Sequence, residues 1–447
     1  MYSFDRKRPA RRVPSRLLAA LLLLVLAPAC GRAAEDAAED NAPSGGGSPV
    51  VRRVPAAYPS IQKAVDSARP GDTVLVSSGV YRESVTVRTE RLTLRGTSRS
   101  RTVVDGQFKR ANGVTVTGAG SVVENLTVRN HLANGLLFTG VTDEALQGTG
   151  AGGSGYERLD TGRFPPLRGF RASYVTAHNN ALYGIYAFDS RNGVIEHSYA
   201  SGHSDSGIYV GQCRPCRTVV RDNTTEHNAV GVEVTNASRA LYFLGNTARR
   251  NRVGMTVLSD NLESLGPQHR AVFAGNLIAD NNDDRSPEQA DGGFGVGVGV
   301  SGGRDNRFTR NRVEGNRAGA FVLRDEQGRP AVRNRIRHNA TDGGSPGLVL
   351  RTARAGGNCY RDNGPGLTVP RTLPRTVTAC SGGDPALRGS ARPPRTGPVP
   401  PGVSFREVPA PPAQPGMRDP AHAKARPATG LPGAVEPGSY PLPEPGR

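Results

Sequence analysis

The chain has 447 residues, a formal net charge of +18, 57 glycines, 35 prolines and no tryptophan. Only Lys7, Lys63, Lys109 and Lys424 are lysines, so the basic excess is arginine; it leaves an acidic partner open, but no basic run is interleaved with stacking aromatics, and a nucleic-acid partner is not expected. A chain of this length holds two or three average domains or one elongated solenoid.

Residues 1–29 read as an export signal. Arg6, Lys7, Arg8, Arg11, Arg12 and Arg16 precede an apolar run, 17–26, that is too short to span a bilayer comfortably. Ala27-Pro28-Ala29 then meets Cys30 and resembles a lipobox, whose cysteine is diacylated. Lipidation of Cys30, with a lipid anchor in a membrane outside the cytoplasm, is the expectation; cleavage by ordinary signal peptidase, giving a secreted protein, is the alternative. Residues 30–50, rich in Ala, Glu, Asp, Gly and Ser, read as a flexible tether. Ser60 then precedes Ile61, Ala64, Val65 and Ala68, an N-capped helical stripe, and Pro70-Gly71-Asp72 turns into a strand over 73–76.

The body of the chain, 51–383, is repetitive. Asn223, Asn228 and Gly231 are followed by Val232 and Val234; Asn246, Asn251 and Gly254 are followed by Met255 and Val257. The frame recurs at Asn311/Asn316/Gly319 and Asn358/Asn363/Gly366. Gly184, Gly207, Gly231 and Gly254 stand 23, 24 and 23 residues apart, a repeat period. Alternation at one and three residues after each glycine, down to Ala320 and Val322, predicts strands with one buried face. Val220, Phe243, Phe273 and Phe308 predict an internal ladder. Asn and Gly suit left-handed corners, and asparagine amides stacked about 4.8 Å apart could bond from coil to coil. These features predict an all-β fold, a right-handed parallel β-helix solenoid with an N-terminal capping helix.

This frame resembles the bacterial parallel β-helix repeat proteins of the pectin-lyase-like fold, over roughly 51–383. The run YPSIQKAVDSARPGDTVLVSSGVYRESVTV is similar to the opening of pectin methylesterases and related β-helices, where it caps the open end. The resemblance carries a fold; function resides in sites.

With Cys30 set aside, two cysteine pairs remain. Cys213 and Cys216, in Cys-Arg-Pro-Cys, read as a turn staple, and Cys359 and Cys380, 21 residues apart, as a link between neighbouring coils. Interruptions at 141–168, 260–270 and 281–293 should project as walls of a cleft, and the last runs into FGVGVGVSGG, too glycine-rich for a normal strand face. From Asp384 onward lie 17 of the 35 prolines, so 384–447 reads as a Pro-rich tail, disordered as the first expectation and docked along the solenoid flank as the second.

Stacking turns the frame into columns. Four residues before each glycine stand Asn180, His203, His227 and Arg250; two residues after, facing outward, stand Tyr186, Tyr209, Glu233 and Thr256. Asp205 and Gln212 lie in adjoining columns. Two functions follow. One is a cell-envelope-anchored binder of polysaccharide or cell-wall glycan, through Tyr186, Asp205, Gln212 and Glu233. The other is a uronan lyase or C5-epimerase with His203 or His227 as base, Tyr209 as acid and Arg250 neutralising the uronate. Asp205 and Glu233 read as too far apart for a glycosidase pair unless the turn folds back. The Gly202-His203-Ser204 run half matches the polygalacturonase Gly-His-Gly, and the Asp-Pro-His-Asp of alginate epimerases is absent. No cofactor and no metal is expected, since no calcium-type carboxylate cluster is evident, and a monomer is expected.

Overall fold

The computed structural model describes residues 48–147, 158–288, 293–387, 398–426 and 435–445. The export signal, Cys30 and most of the tether lie outside the described residues, as does 148–157 of the first insertion. The chain winds through three parallel sheets of 12, 10 and 11 strands, here called first, second and third in the order each coil visits them. One coil places Ser190–Glu196 in the first sheet, Tyr199–Ser201 in the second and Ser206–Cys213 in the third.

The core is the continuous interior of this coil. Val220, Phe243, Phe273 and Phe308 pair in register in the first sheet, and Phe243, Phe273 and Phe308 stack at 4.9 and 4.7 Å. The corners hold asparagine ladders. At one, each Asn Nδ2 donates to the next Oδ1 along Asn223, Asn246, Asn276 and Asn311 at 2.8–3.0 Å; at another the same happens along Asn228, Asn251, Asn281 and Asn316. Each amide also donates to a strand carbonyl of the coil before, as Asn228 does to Ala200 O at 3.0 Å. Buried polar groups are affordable only when paired in this way.

Three details of the repeat differ from the sequence reading. The left-handed residue is the one before each ladder asparagine, as at Asp222, His227 and Arg250, because the asparagine itself must point inward. Asn358 and Asn363 belong to two different corners: Asn363 accepts from Asn339, and Asn358 accepts from Asn334 in a third ladder. Gly319, at φ +139°, pairs with Val296 rather than with the next repeat glycine, Gly297. That one-residue slip puts Phe321 and Leu323, not Ala320 and Val322, in register with the inward Val298 and Val300; Ala320 stays buried at the edge of the same core and Val322 leaves it. The glycine-rich strand Val296–Ser301 is regular, with Val298 and Val300 buried.

Both ends are closed. At the first, helix Ile61–Asp66 buries Ile61, Ala64 and Val65, and Ser60 Oγ caps it by accepting from Lys63 N at 3.2 Å. Near the last, Val377 of the short helix Arg375–Thr378 is buried, and Cys359 is bonded to Cys380. The second disulfide, Cys213–Cys216, spans a turn with Cα atoms 4.7 Å apart.

The Pro-rich tail is docked where it is described, which corrects the expectation of disorder. Its extended backbone offers carbonyls that no internal helix or sheet consumes, and solenoid side chains take them. Asn179 Nδ2 donates to Phe405 O and Val408 O at 2.6 and 2.8 Å. Arg99 donates to Pro415 O at 2.6 Å, and Arg310 to Tyr440 O at 2.9 Å. Tyr440 packs on Val219, Leu244 and Ala274 of the first sheet's outer face. None of these contacts involves the outward face of the third sheet.

Candidate functional site

The third sheet presents one outward column in register: Leu137, Tyr186, Tyr209, Glu233, Thr256 and Gly299. Flanking residues of each strand, such as Ile208 and Val210, are in the core, so the column faces out by the two-residue period of a strand. Tyr186 and Tyr209 nevertheless have little surface, at 7% and 1% exposed. Tyr183 stacks flat on Tyr186 at 4.3 Å and 8°, and Tyr209 meets Tyr186 edge-on at 4.7 Å. With Leu137 and Phe188 these rings form a small second core outside the solenoid. Its half-buried rings are Tyr183 and Phe188, not Tyr209.

The 260–270 insertion closes one edge of this face. Ser264 Oγ donates to Leu159 O at 3.0 Å and Arg158 Nε to Asn261 O at 2.7 Å, so the two insertions leaving this corner are joined. The insertion carries Glu263, whose carboxyl oxygen accepts from the Tyr209 hydroxyl. Burial pushes the Glu263 carboxyl up to about 8 and the Tyr209 phenol well above its usual value. Gln212 is fully buried at the same corner, its carbonyl accepting from Ser264 N at 2.9 Å. It braces the insertion and cannot bind substrate, which corrects that expectation.

Asp205 and Glu233 are brought together. Ser206 Oγ lies 3.2 Å from Asp205 Oδ1 and is also hydrogen-bonded to Glu233 Oε2. Two hydrogen bonds to one oxygen keep the carboxyl oxygens within about 6 Å of each other, so the turn does fold back and the separation expected from strand spacing is corrected. A serine hydroxyl carries one proton and can donate to one carboxylate only. Both contacts are satisfied when one carboxyl brings a proton of its own. Burial, and next the Asp205 charge, push Glu233 well above the usual carboxylate range, which makes it the proton holder. Thr235 Oγ1 donates to its other oxygen at 3.0 Å.

The expected base and carboxylate-neutralising residues are elsewhere. The ladder position lies four residues before Gly184 and Gly207 but three before Gly231 and Gly254, so the glycine frame misaligns His203 with His227. His203 is a rung of the asparagine ladder: its N donates to Asn228 Oδ1 at 3.1 Å and its ring meets Asn180 N and O at 3.3 and 3.2 Å and Ala177 O at 3.2 Å. It is 0% exposed, and burial lowers its pKa to about 4. His203 therefore cannot serve as a base on the outer face. His227 instead aligns with Arg250, which receives its N–H. Its Nδ1 lies 2.6 Å from Asp283 Oδ2, in the 281–293 insertion. Arg250 is bound to Glu226 at 2.8 Å, at the end of the second sheet. Neither joins the Tyr209 face.

Tyr183, Phe188, Ser206 and Glu263 were missed. The first three stand one residue before or four after the repeat glycines, columns as readable as those chosen. Glu263 offered less: only its place in an insertion following an outward strand.

Comparison with known proteins bears on the fold. A family model described as "Right handed beta helix region" matches residues 112–265. The chain is a right-handed parallel β-helix. No curated protein matches the sequence. Similar solved structures include the A-module of the Azotobacter vinelandii mannuronan C-5 epimerase AlgE4, at 16% identity over 69% of this chain and 90% of that one, with a TM-score of 0.47. Others are an alginate lyase from Paenibacillus sp. str. FPU-7, at 13% identity, 71% and 97% coverage and a TM-score of 0.35, and pectin methylesterase from carrot, at 14%, 69%, 88% and 0.37. Along this β-helix the candidate site occupies the third-sheet face of the coils from Tyr183 to Thr256.

Proposed function

We propose that this β-helix binds a polysaccharide along the outward face of its third sheet, against Tyr183 and Phe188, with Asp205 and Glu233 hydrogen-bonding sugar hydroxyls. The observation that carries this reading is the pairing of half-buried aromatic rings with carboxyl groups on one face flanked by insertions. Aromatic faces with a few placed polar groups are the usual furniture of a ligand cleft. A floor of carboxyls disfavours a uronan, whose own carboxylates would be repelled, so a neutral or amino-bearing glycan is the better fit. The two disulfides support the oxidising compartment to which an export signal over residues 1–29 would lead.

A second reading rests on the bridge through Ser206. A protonated Glu233 beside an Asp205 carboxylate has the composition of a glycosidase pair, and the limit of about 6 Å between their bridged oxygens is compatible with the retaining class, in which the groups stand about 5–5.5 Å apart. Glu233 would protonate the leaving oxygen and Asp205 would attack the anomeric carbon. The lyase or epimerase alternative loses its residues: His203 is internal, Arg250 is held by Glu226, and the Tyr209 proton is committed to Glu263.

The test is a panel of neutral and amino-bearing polysaccharides scored for binding and for reducing-end release. Tyr183→Ala should weaken binding by tenfold or more. Glu233→Gln should leave binding within a few-fold and, on the second reading, reduce turnover by about a hundred- to ten-thousandfold. Binding unchanged by Tyr183→Ala contradicts the site; binding without any turnover in the parent protein removes the second reading alone.

A further inference from the structure

The first sheet solves one electrostatic problem in two opposite ways along its length. In the early coils, outward charges in register are complementary. Arg95 pairs with Glu124 at 2.7 Å, and Glu196 with Arg221 at 2.6 Å. Arg171 and the tail's Arg426 also reach Glu196, at 2.7 and 3.3 Å, so a docked segment completes the neutralisation. In the last coils the same face sets arginine opposite arginine. Arg307 is in register with Arg335, and Arg337 with Arg361. Phe308 and Ile336 between them are buried, which fixes the arginines outward.

Like charges directly opposite each other destabilise a sheet, and little inside the molecule relieves these. Asp362 lies 3.3 Å from Arg361 and 3.9 Å from Arg337. Arg307 and Arg335 are exposed and form no ion pair with any described residue. Among the described residues Asp362 is thus the one carboxylate paired with any of these four guanidinium groups, and it reaches two of them, on strands about 4.8 Å apart along the solenoid axis. The one exposed ring beside these arginines among the described residues is His338, at the corner 3.9 Å from Asp362; no exposed tyrosine or phenylalanine stands among them for base stacking, and the exposed large apolar side chains lie on other elements. Guanidinium forks match carboxylate oxygens in paired hydrogen bonds.

We propose that this arginine array, on the first sheet near the C-terminal end, binds a linear acidic polysaccharide lying along the solenoid axis. It is separate from the third-sheet groove, whose carboxyl floor disfavours such a polymer. The protein would then hold two glycans of different charge on two faces.

The test uses the full chain with sodium polygalacturonate as probe, titrated across salt concentrations. The parent should bind, with affinity falling as salt rises. Arg307→Ser with Arg335→Ser should bind at least tenfold more weakly with a shallower salt dependence, at a melting temperature equal to or above the parent's, since the opposed charges are gone. Arg307→Lys with Arg335→Lys should retain part of the affinity, since charge persists without the fork. Tyr183→Ala should bind the probe like the parent, which separates this face from the groove. Parent-like affinity in the double serine variant overturns the proposal. So does tighter binding to phosphatidylglycerol vesicles or to duplex DNA than to the polysaccharide.

Discussion

At the scale of single residues, the groove is governed by where protons sit. Glu263 is nearly covered by the Tyr209 ring and its own insertion, and its carboxyl titrates near 8 instead of 4.5. The folded state therefore keeps a proton that the unfolded chain gives up. Stability contributed in this way is full below about pH 4.5 and is lost as pH rises towards about 8, by at most about 1.4 kcal/mol per pH unit. Glu263→Gln keeps the shape and removes the titration. Melting temperatures compared between pH 5 and 8, a span of about three units, should fall more steeply for the parent than for this variant. Parallel curves would mean that the carboxyl is not buried against Tyr209. The sequence pointed to Tyr209 and Glu233 as neighbours, and they are in register. It gave no sign of Glu263 above Tyr209, because an insertion has no repeat frame to place it.

At the scale of elements, the repeat was readable because its chemistry is one-dimensional. Each coil contacts its neighbours, so the 23-residue spacing, the phenylalanine ladder and the N-cap at Ser60 follow from local pattern. What failed were the places where the frame shifts by one residue: His203, which is a rung and not a surface base, and Gly319, whose slip puts Phe321 and Leu323 in register with the inward Val298 and Val300. A single shift of this kind is invisible to glycine counting and reverses a strand's faces. The ladder assignment makes a prediction. His203→Asn supplies the side chain that the neighbouring rungs Asn180 and Asn228 carry, and should unfold at nearly the parent's denaturant midpoint. His203→Ala leaves buried partners without a hydrogen bond and should cost about 1–3 kcal/mol. Equal, negligible effects of both substitutions would contradict the rung, and loss of glycan binding in His203→Asn would restore it to the site.

At the scale of the whole molecule, the first and third sheets of the solenoid have separate assignments. The tail covers much of the first sheet's outer surface and the corner beside the second sheet, where Asn179, Arg99 and Arg310 hold its carbonyls. The third sheet is flanked by insertions, and none of the tail contacts described involves its outward column. Composition alone suggested an unstructured tail because proline forbids helix and sheet; it could not reveal that unspent carbonyls would find arginine and asparagine donors on a neighbouring surface. A glycan lying on the third-sheet face would shield the rings there from solvent. The most direct measurement is hydroxyl-radical footprinting of the full chain with and without a saturating polysaccharide from the binding panel, read residue by residue. Tyr183 and Phe188 should be protected, and Tyr242 and Tyr440 on the first-sheet side should keep their reactivity. Protection confined to Tyr242 and Tyr440, with Tyr183 and Phe188 unaffected, would contradict it.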